Sequence, residues 1–217
     1  MKLIYFEKCK NLFIDFDGVI VDSNKFKEFA IEKAILKWNK KCKNTFKAID
    51  YFNINAGLSR KKKLSLFFED VCVANIMETY SQECDAFFLK AKPTKSIEKF
   101  LRFVKEKNKN INIFILSGGE KKEIISFLEK NFILHFFNGI LASEKTKVEH
   151  ILDIGISVND IFIGDSNNDL KTALKTGLNF ILFDEYKSMK SYPKESLINN
   201  ILFQTKNFES LLNIIAP

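Results

Sequence analysis

Short apolar runs recur along the chain, and between the later ones apolar positions fall at helical spacing. The runs near 12–16, 111–116, 161–164 and 179–183, with a weaker one around 139–142, have the length and the Ile and Phe content of strands. Ile97, Phe100, Leu101 and Val104 make one helical stripe. Ala173 and Leu174 belong to another, closed by Gly177, a residue suited to ending a helix. Strands alternating with helices predict an α/β fold, a parallel sheet joined by right-handed crossovers.

The interval between the first two strands is longer than one crossover needs. Ala30, Ala34 and Trp38, then Leu64, Phe67, Phe68 and Val71, repeat at helical spacing, and no strand pattern interrupts them. Residues 22–92 are therefore predicted to form a helical insert. A chain of 217 residues has room for a core plus an insert. It buries roughly 70% of its unfolded surface, enough to fold without staples. The 23 phenylalanines serve as its large core residues.

The strand ends carry the chemistry. Asp15-Phe16-Asp17-Gly18-Val19 follows the first apolar strand, Asn11-Leu12-Phe13-Ile14. Two carboxylates two apart at a strand end point to one side, and Gly18 lets the backbone turn behind them. Alone, Asp-x-Asp-Gly also reads as a surface turn. A second cluster, Gly164-Asp165-Ser166-Asn167-Asn168-Asp169, follows Ile161-Phe162-Ile163. Its acids also suit a helix start, but a helix start does not explain two strand-end acid clusters in one chain. Ser117 follows a third strand and leads into Gly118-Gly119-Glu120. With Glu120 it reads as a capping box for a helix to about Lys130, or, beside glycine amides at a helix start, as a phosphate site. Lys145 and Lys147 lie between Ser117 and the late acids. Lys147, followed by the apolar stripe Val148, Ile151 and Leu152, is placed in a helix's first turn.

In this order the segments resemble the four motifs of the haloacid dehalogenase superfamily, over roughly residues 11–183. Asp15 to Val19 resembles the first, Ser117 the second, a lysine at 145 or 147 the third, and Gly164-Asp165 to Asp169 the fourth. More narrowly, Asp15 through Asn24 (DFDGVIVDSN) and Asn55-Ala56-Gly57-Leu58-Ser59-Arg60 are similar to the helical-cap phosphatases related to phosphoglycolate phosphatase. Many of those have Lys-Pro-x-Pro as the third motif. This chain lacks the prolines, so Lys147 is preferred and Lys145 stays open. The resemblance implies a doubly wound, parallel-sheet, Rossmann-like core formed by residues 1–21 and 93–217. Residues 22–92 would be an all-helical cap domain over the sheet's carboxyl edge.

It also implies an activity: magnesium-dependent hydrolysis of a small phosphorylated metabolite, a phospho-sugar or phospho-acid, through an aspartyl-phosphate. Asp15 would be the nucleophile, since a carboxylate is ionised at neutral pH without help from a base. Asp17 would be acid and then base. Asp15, the backbone carbonyl of Asp17, Asp165 and Asp169 would hold Mg2+. Ser117, Gly118 and Lys147 would bind the phosphoryl group. Arg60 of the cap would bind the rest of the substrate. Asp17 points away from dehalogenation, which leaves phosphomutase chemistry, or a catalytically silent phosphate-binding scaffold, as the alternatives.

Charge and composition sharpen this. Residues 22–92 hold 14 Lys and Arg against 9 Asp and Glu, most of the chain's net +7. A basic insert over an acidic core draws in an anionic substrate. Arg60-Lys61-Lys62-Lys63 is its densest cluster, and its plain alternative is a solvated helix start. The insert's aromatics look like core, so nucleic acid is not expected as a partner. Cys9, Cys42, Cys72 and Cys84 show no Cys-x-x-Cys pair. Two histidines make a histidine metal site improbable, and His135, among Leu134, Phe136 and Phe137, reads as packing. No targeting segment and no membrane-length apolar run is seen. The expectation is a cytoplasmic monomer or homodimer.

Overall fold

The computed structural model describes residues 6–39, 44–55, 59–187 and 201–215. Cys42 and the Ala56-Gly57-Leu58 part of the second resembling stretch lie outside the described residues. Six strands form one parallel sheet: β1 (Asn11–Ile14), β2 (Asn112–Leu116), β3 (Gly139–Leu141), β4 (Ile161–Gly164), β5 (Asn179–Phe183) and β6 (Ile201–Thr205). Their order is β3-β2-β1-β4-β5-β6. The order reverses between β1 and β4, the place where open α/β sheets bind ligands beyond the strands' carboxyl ends.

Side-chain alternation divides the core into two layers. Leu12, Ile14, Ile161, Ile163 and Ile181 face one side, with Phe100 and Leu101 of α5 (Ile97–Lys107) and Phe127 of α6 (Lys121–Lys130). Phe13, Phe162, Phe180 and Leu182 face the other, against Ile151 of α7 (Lys147–Ile154) and Leu170 of α8 (Asn167–Thr176). Helices on both faces make the fold doubly wound. Gly177 closes α8 in the left-handed conformation, as its place after the stripe predicts. The final pair, β6 and α9 (Phe208–Ile215), extends the sheet beyond what the sequence pattern foretold. Phe208 anchors it, with ring centroids 4.8 Å from Phe100 and 4.7 Å from Phe183.

The described residues between β1 and α5 contain only helices as regular elements: α1 (Asn24–Trp38), α2 (Asn44–Ile54), α3 (Arg60–Leu64) and α4 (Asp70–Phe88). Helices α1 and α4 pack together, with Phe26 stacked on Phe87 at 4.2 Å. The chain leaves and returns at one place. Val21 bridges Pro93, and the Thr94 N–H and hydroxyl donate to the carbonyls of Ile20 and Val19. Two details differ from the periodicity. Leu64 to Val71 is not one helix, because α3 stops after five residues and Val71 is exposed at the start of α4. His135 is exposed, its ring lying against Phe136 rather than packed inside. Among the described residues no helix is long and apolar enough to cross a membrane.

Candidate active site

The period-two geometry of β1 continues into its loop and sorts three residues. Phe16 is buried on one side, with ring centroids 5.3 Å from Phe127 and 5.6 Å from Phe88. Asp15 and Asp17 line a cavity on the other side. Gly18, at φ +78°, makes the turn behind them. A side chain there would collide with Asn24 and with the Asp165 carboxylate, so the close approach of β1's loop to β4's requires glycine.

The two aspartates have different partners. Asp15 is buried and accepts from the Phe16 N–H at 2.8 Å and from Lys147 Nζ at 2.8 Å. Its burial, with Asp169 close by, pushes its carboxyl above the ordinary range despite Lys147. Asp17 accepts from Ser23 Oγ at 2.6 Å and pairs with Lys27 Nζ at 2.5 Å. Burial works against its charge, but Lys27 and Ser23 outweigh it and hold Asp17 below its usual value.

Lys147 stands in the first turn of α7, where its stripe placed it. Thr146 caps that helix in a reciprocal capping box with Glu149. The ammonium also reaches Asp169 Oδ1 at 2.6 Å. Its burial opposes charge, yet the two carboxylates raise its pKa above the ordinary lysine value. Lys145 is on the surface, paired with Asp153 at 2.7 Å. Asp169 is the third residue of α8 and forms a capping box with Ser166, so its helix-start and cluster readings are both true.

Ser117 and Glu120 do not form the expected capping box. The chain spends Gly118 and Gly119 in a bend, α6 starts at Lys121, and Glu120 is its N-cap with no side-chain cap bond. Ser117 is buried at the end of β2, and its Oγ accepts from the Gly119 N–H at 3.0 Å. Gly118 and Gly119 line the cavity, as do Lys147 and Asp165.

Oxygens of the buried Asp15, Asp165 and Asp169 lie within 4.8 Å of one another. An all-carboxylate set fits a hard cation such as Mg2+. The Asp17 carboxylate is turned toward Ser23 and Lys27, outside that cluster. Asn24, which sequence reasoning missed, donates to Asp165 at 2.8 Å and to the Tyr186 carbonyl at 2.7 Å. Lys27 was missed too. Its signal was spacing, since Asn24 and Lys27 share one face of α1 just after the first motif.

Arg60 and Lys63 line the same cavity and are buried, while Lys61 and Lys62 are exposed. The solvated reading thus holds for only half the cluster. Arg60 makes a bidentate pair with Glu123 of α6, both contacts 2.7 Å, and its guanidinium lies over Tyr80.

Comparison with known proteins follows the same lines. The family model for haloacid dehalogenase-like hydrolases matches residues 12–183. A predicted phosphoglycolate phosphatase from Haemophilus somnus is similar in structure, with a TM-score of 0.72 at 14% identity over 95% of this chain and 97% of its own. A predicted phosphatase from Clostridium acetobutylicum gives 0.71 at 18%, covering 94% and 97%. CbbY from Rhodobacter sphaeroides, solved in complex with phosphate, gives 0.71 at 12%, covering 94% and 96%. No curated protein sequence matches. At these identities the structures establish the fold, and the family match establishes membership: the chain belongs to the haloacid dehalogenase-like hydrolases.

Proposed function

We propose that the protein is a magnesium-dependent phosphatase that hydrolyses a small phosphomonoester through an aspartyl-phosphate on Asp15. The observation that carries this reading is the contrast between two aspartates on one cavity. Asp15 sits in a buried carboxylate cluster with Lys147, and Asp17 beside it has separate partners, Ser23 and Lys27. Neighbours named as phosphatases support the same class.

Asp15, Asp165 and Asp169, with the Asp17 backbone carbonyl, would hold Mg2+. Bound there, the ion supplies positive charge that lets a carboxylate approach a phosphate dianion. An Asp15 oxygen attacks phosphorus, the ester P–O bond breaks, and the leaving oxygen takes a proton from Asp17. Asp17 then takes a proton from water, whose oxygen attacks phosphorus, the P–O bond to Asp15 breaks and phosphate departs. Lys147 and the Ser117-Gly118 turn stabilise the phosphoryl oxygens. Lys27 and Ser23 favour the base form of Asp17. An incoming phosphate offers Lys27 another partner, which favours the protonated Asp17 that the first step needs.

Residues 22–92 would act as a cap domain, with Arg60 and Lys63 on the cavity wall. The buried free thiols Cys9 and Cys84 suit a reducing compartment such as the cytoplasm. Phosphate release from para-nitrophenyl phosphate, with magnesium and after chelation, tests the function. Release that stops on chelation and returns with Mg2+ is expected. No release under either condition, or release indifferent to the metal, would overturn it.

A further inference from the structure

Four cationic side chains line the cavity among the described residues: Lys27, Arg60, Lys63 and Lys147. Three have carboxylates. Lys27 pairs with Asp17, Arg60 with Glu123, and Lys147 with Asp15 and Asp169. Lys63 differs. Its Nζ donates to the Phe52 carbonyl at 3.1 Å and lies 3.5 Å from the centre of the Phe52 ring. Among the described residues no carboxylate stands within 4 Å of it, although Glu28 is on the same cavity wall.

This is an unfavourable place for an ammonium. Lys63 is 6% exposed, and burial together with Arg60 and Lys27 pushes its pKa down to about 7. A buried charge normally has a charged partner. A neutral hydroxyl would replace one hydrogen bond with another and leave the repulsion among the cations as it was. An oxyanion would relieve it, and would hold Lys63 in its charged form.

We infer that Lys63 receives a second oxyanion of the substrate, a carboxylate or a second phosphate, separate from the phosphoryl group that is transferred. The inference rests on the phosphatase reading and deepens it, since it names the substrate class as small phosphomonoesters that carry another acid. The cavity, of about 120 Å³, suits a short linker between the two. Arg60 already has its charge paired with Glu123 through one N–H of each terminal nitrogen, so it holds α3 against α6 and positions Lys63 one helical turn along.

The test uses matched pairs of esters: 2-phosphoglycolate against 2-hydroxyethyl phosphate, and 1,3-propanediol bisphosphate against 3-hydroxypropyl phosphate. In the wild type kcat/KM should favour the acidic member of at least one pair tenfold or more, and which pair responds tells carboxylate from phosphate. In Lys63→Met that ratio should fall at least tenfold, chiefly through KM, and Lys63→Arg should restore part of it. Equal kcat/KM within both pairs, or a Lys63→Met loss shared equally by acidic and neutral members, overturns the inference while leaving the phosphatase reading intact. A binding arm covers the opposite case. With Mg2+ present, 3-phosphonopropionate or 1,3-propanediylbisphosphonate, neither of which can be hydrolysed, should bind at least tenfold more tightly than propylphosphonate, and Lys63→Met should remove the difference. That result without any turnover would retain the oxyanion site and refute the phosphatase reading. Propylphosphonate binding as tightly as both 3-phosphonopropionate and 1,3-propanediylbisphosphonate would refute the site.

Discussion

The two walls of the cavity solve the burial of charge in opposite ways. On the floor, at the carboxyl ends of β1 and β4, the carboxylates of Asp15 and Asp169 hold Lys147, and the lysine's charge is strengthened. On the opposite wall, from α1 and α3, Lys63 is buried against the Phe52 ring, and burial with Arg60 and Lys27 near it outweighs Asp17 and weakens its charge. The same side chain, equally inaccessible, is a fixed cation in one place and a poised one in the other. In the proposed function the floor is the part that acts on the phosphoryl group. The other wall carries a charge that the protein itself does not satisfy, as expected of the part that chooses a ligand.

The strongest way to break this picture is at the floor. Asp15→Asn should abolish turnover, with less than a few per cent of the wild-type rate of phosphate release. It should not weaken the fold, because it removes one of several crowded acids and leaves Asp169 paired with Lys147. A loss of thermal stability accompanying the loss of rate would reassign Asp15 to structure.

Asp17→Asn should act differently. Esters with poor leaving groups should slow by about 10²–10⁴-fold, while para-nitrophenyl phosphate, whose phenolate leaves with little help, should slow far less. Equal losses in a side-by-side rate comparison would count against Asp17 as the proton donor.

The floor was legible in the sequence because its residues follow strands directly. A strand end fixes both position and facing, so Asp15, Asp17 and Asp165 could be placed from their neighbours alone. Lys147 was legible through its helical stripe. The wall was not. Helix α3 has only five residues, too few to reveal which face is buried, so Arg60-Lys61-Lys62-Lys63 read as a single cluster. Glu123, the residue that takes Arg60, lies on α6, far along the chain. Ser117 shows the limit of spacing rules: Ser-x-x-Glu matched a capping box, but two glycines let the chain bend before the helix began. The edge strand β6, half-buried along most of its length, presents only a short apolar run; the stripe Phe208, Leu211, Leu212 and Ile215 that follows it in α9 was the signal available for this pair.

Two smaller effects sharpen the contrast between the lysines. Lys147→Ala should lower the rate on the order of 10²-fold or more, since it removes charge aimed at the phosphoryl group in a water-poor site. Lys145→Ala should leave kcat/KM unchanged, and the reverse ranking would move the role to Lys145.

Lys63→Met should stabilise the fold. Because folding lowers this lysine from 10.5 to about 7, the folded state resists its proton. Wild-type stability is reduced in full below about pH 7 and recovers as pH rises toward 10.5, where the unfolded chain also loses the proton. The gain in Lys63→Met should be on the order of a few kcal/mol near neutral pH and shrink toward pH 10, as read from denaturant midpoints. A gain that did not change with pH would mean that Lys63 is not held against its charge.

The central claim, that Asp15 is phosphorylated during turnover, is tested most directly by acid-quenching the enzyme during hydrolysis and mapping its peptides by mass spectrometry. The account predicts a phosphoryl group on the peptide containing Asp15, on that residue, absent after chelation of magnesium and more abundant in Asp17→Asn, where the water step lacks its base. Turnover with no phosphoryl adduct in either the wild type or Asp17→Asn, or with the adduct on another residue, would contradict it.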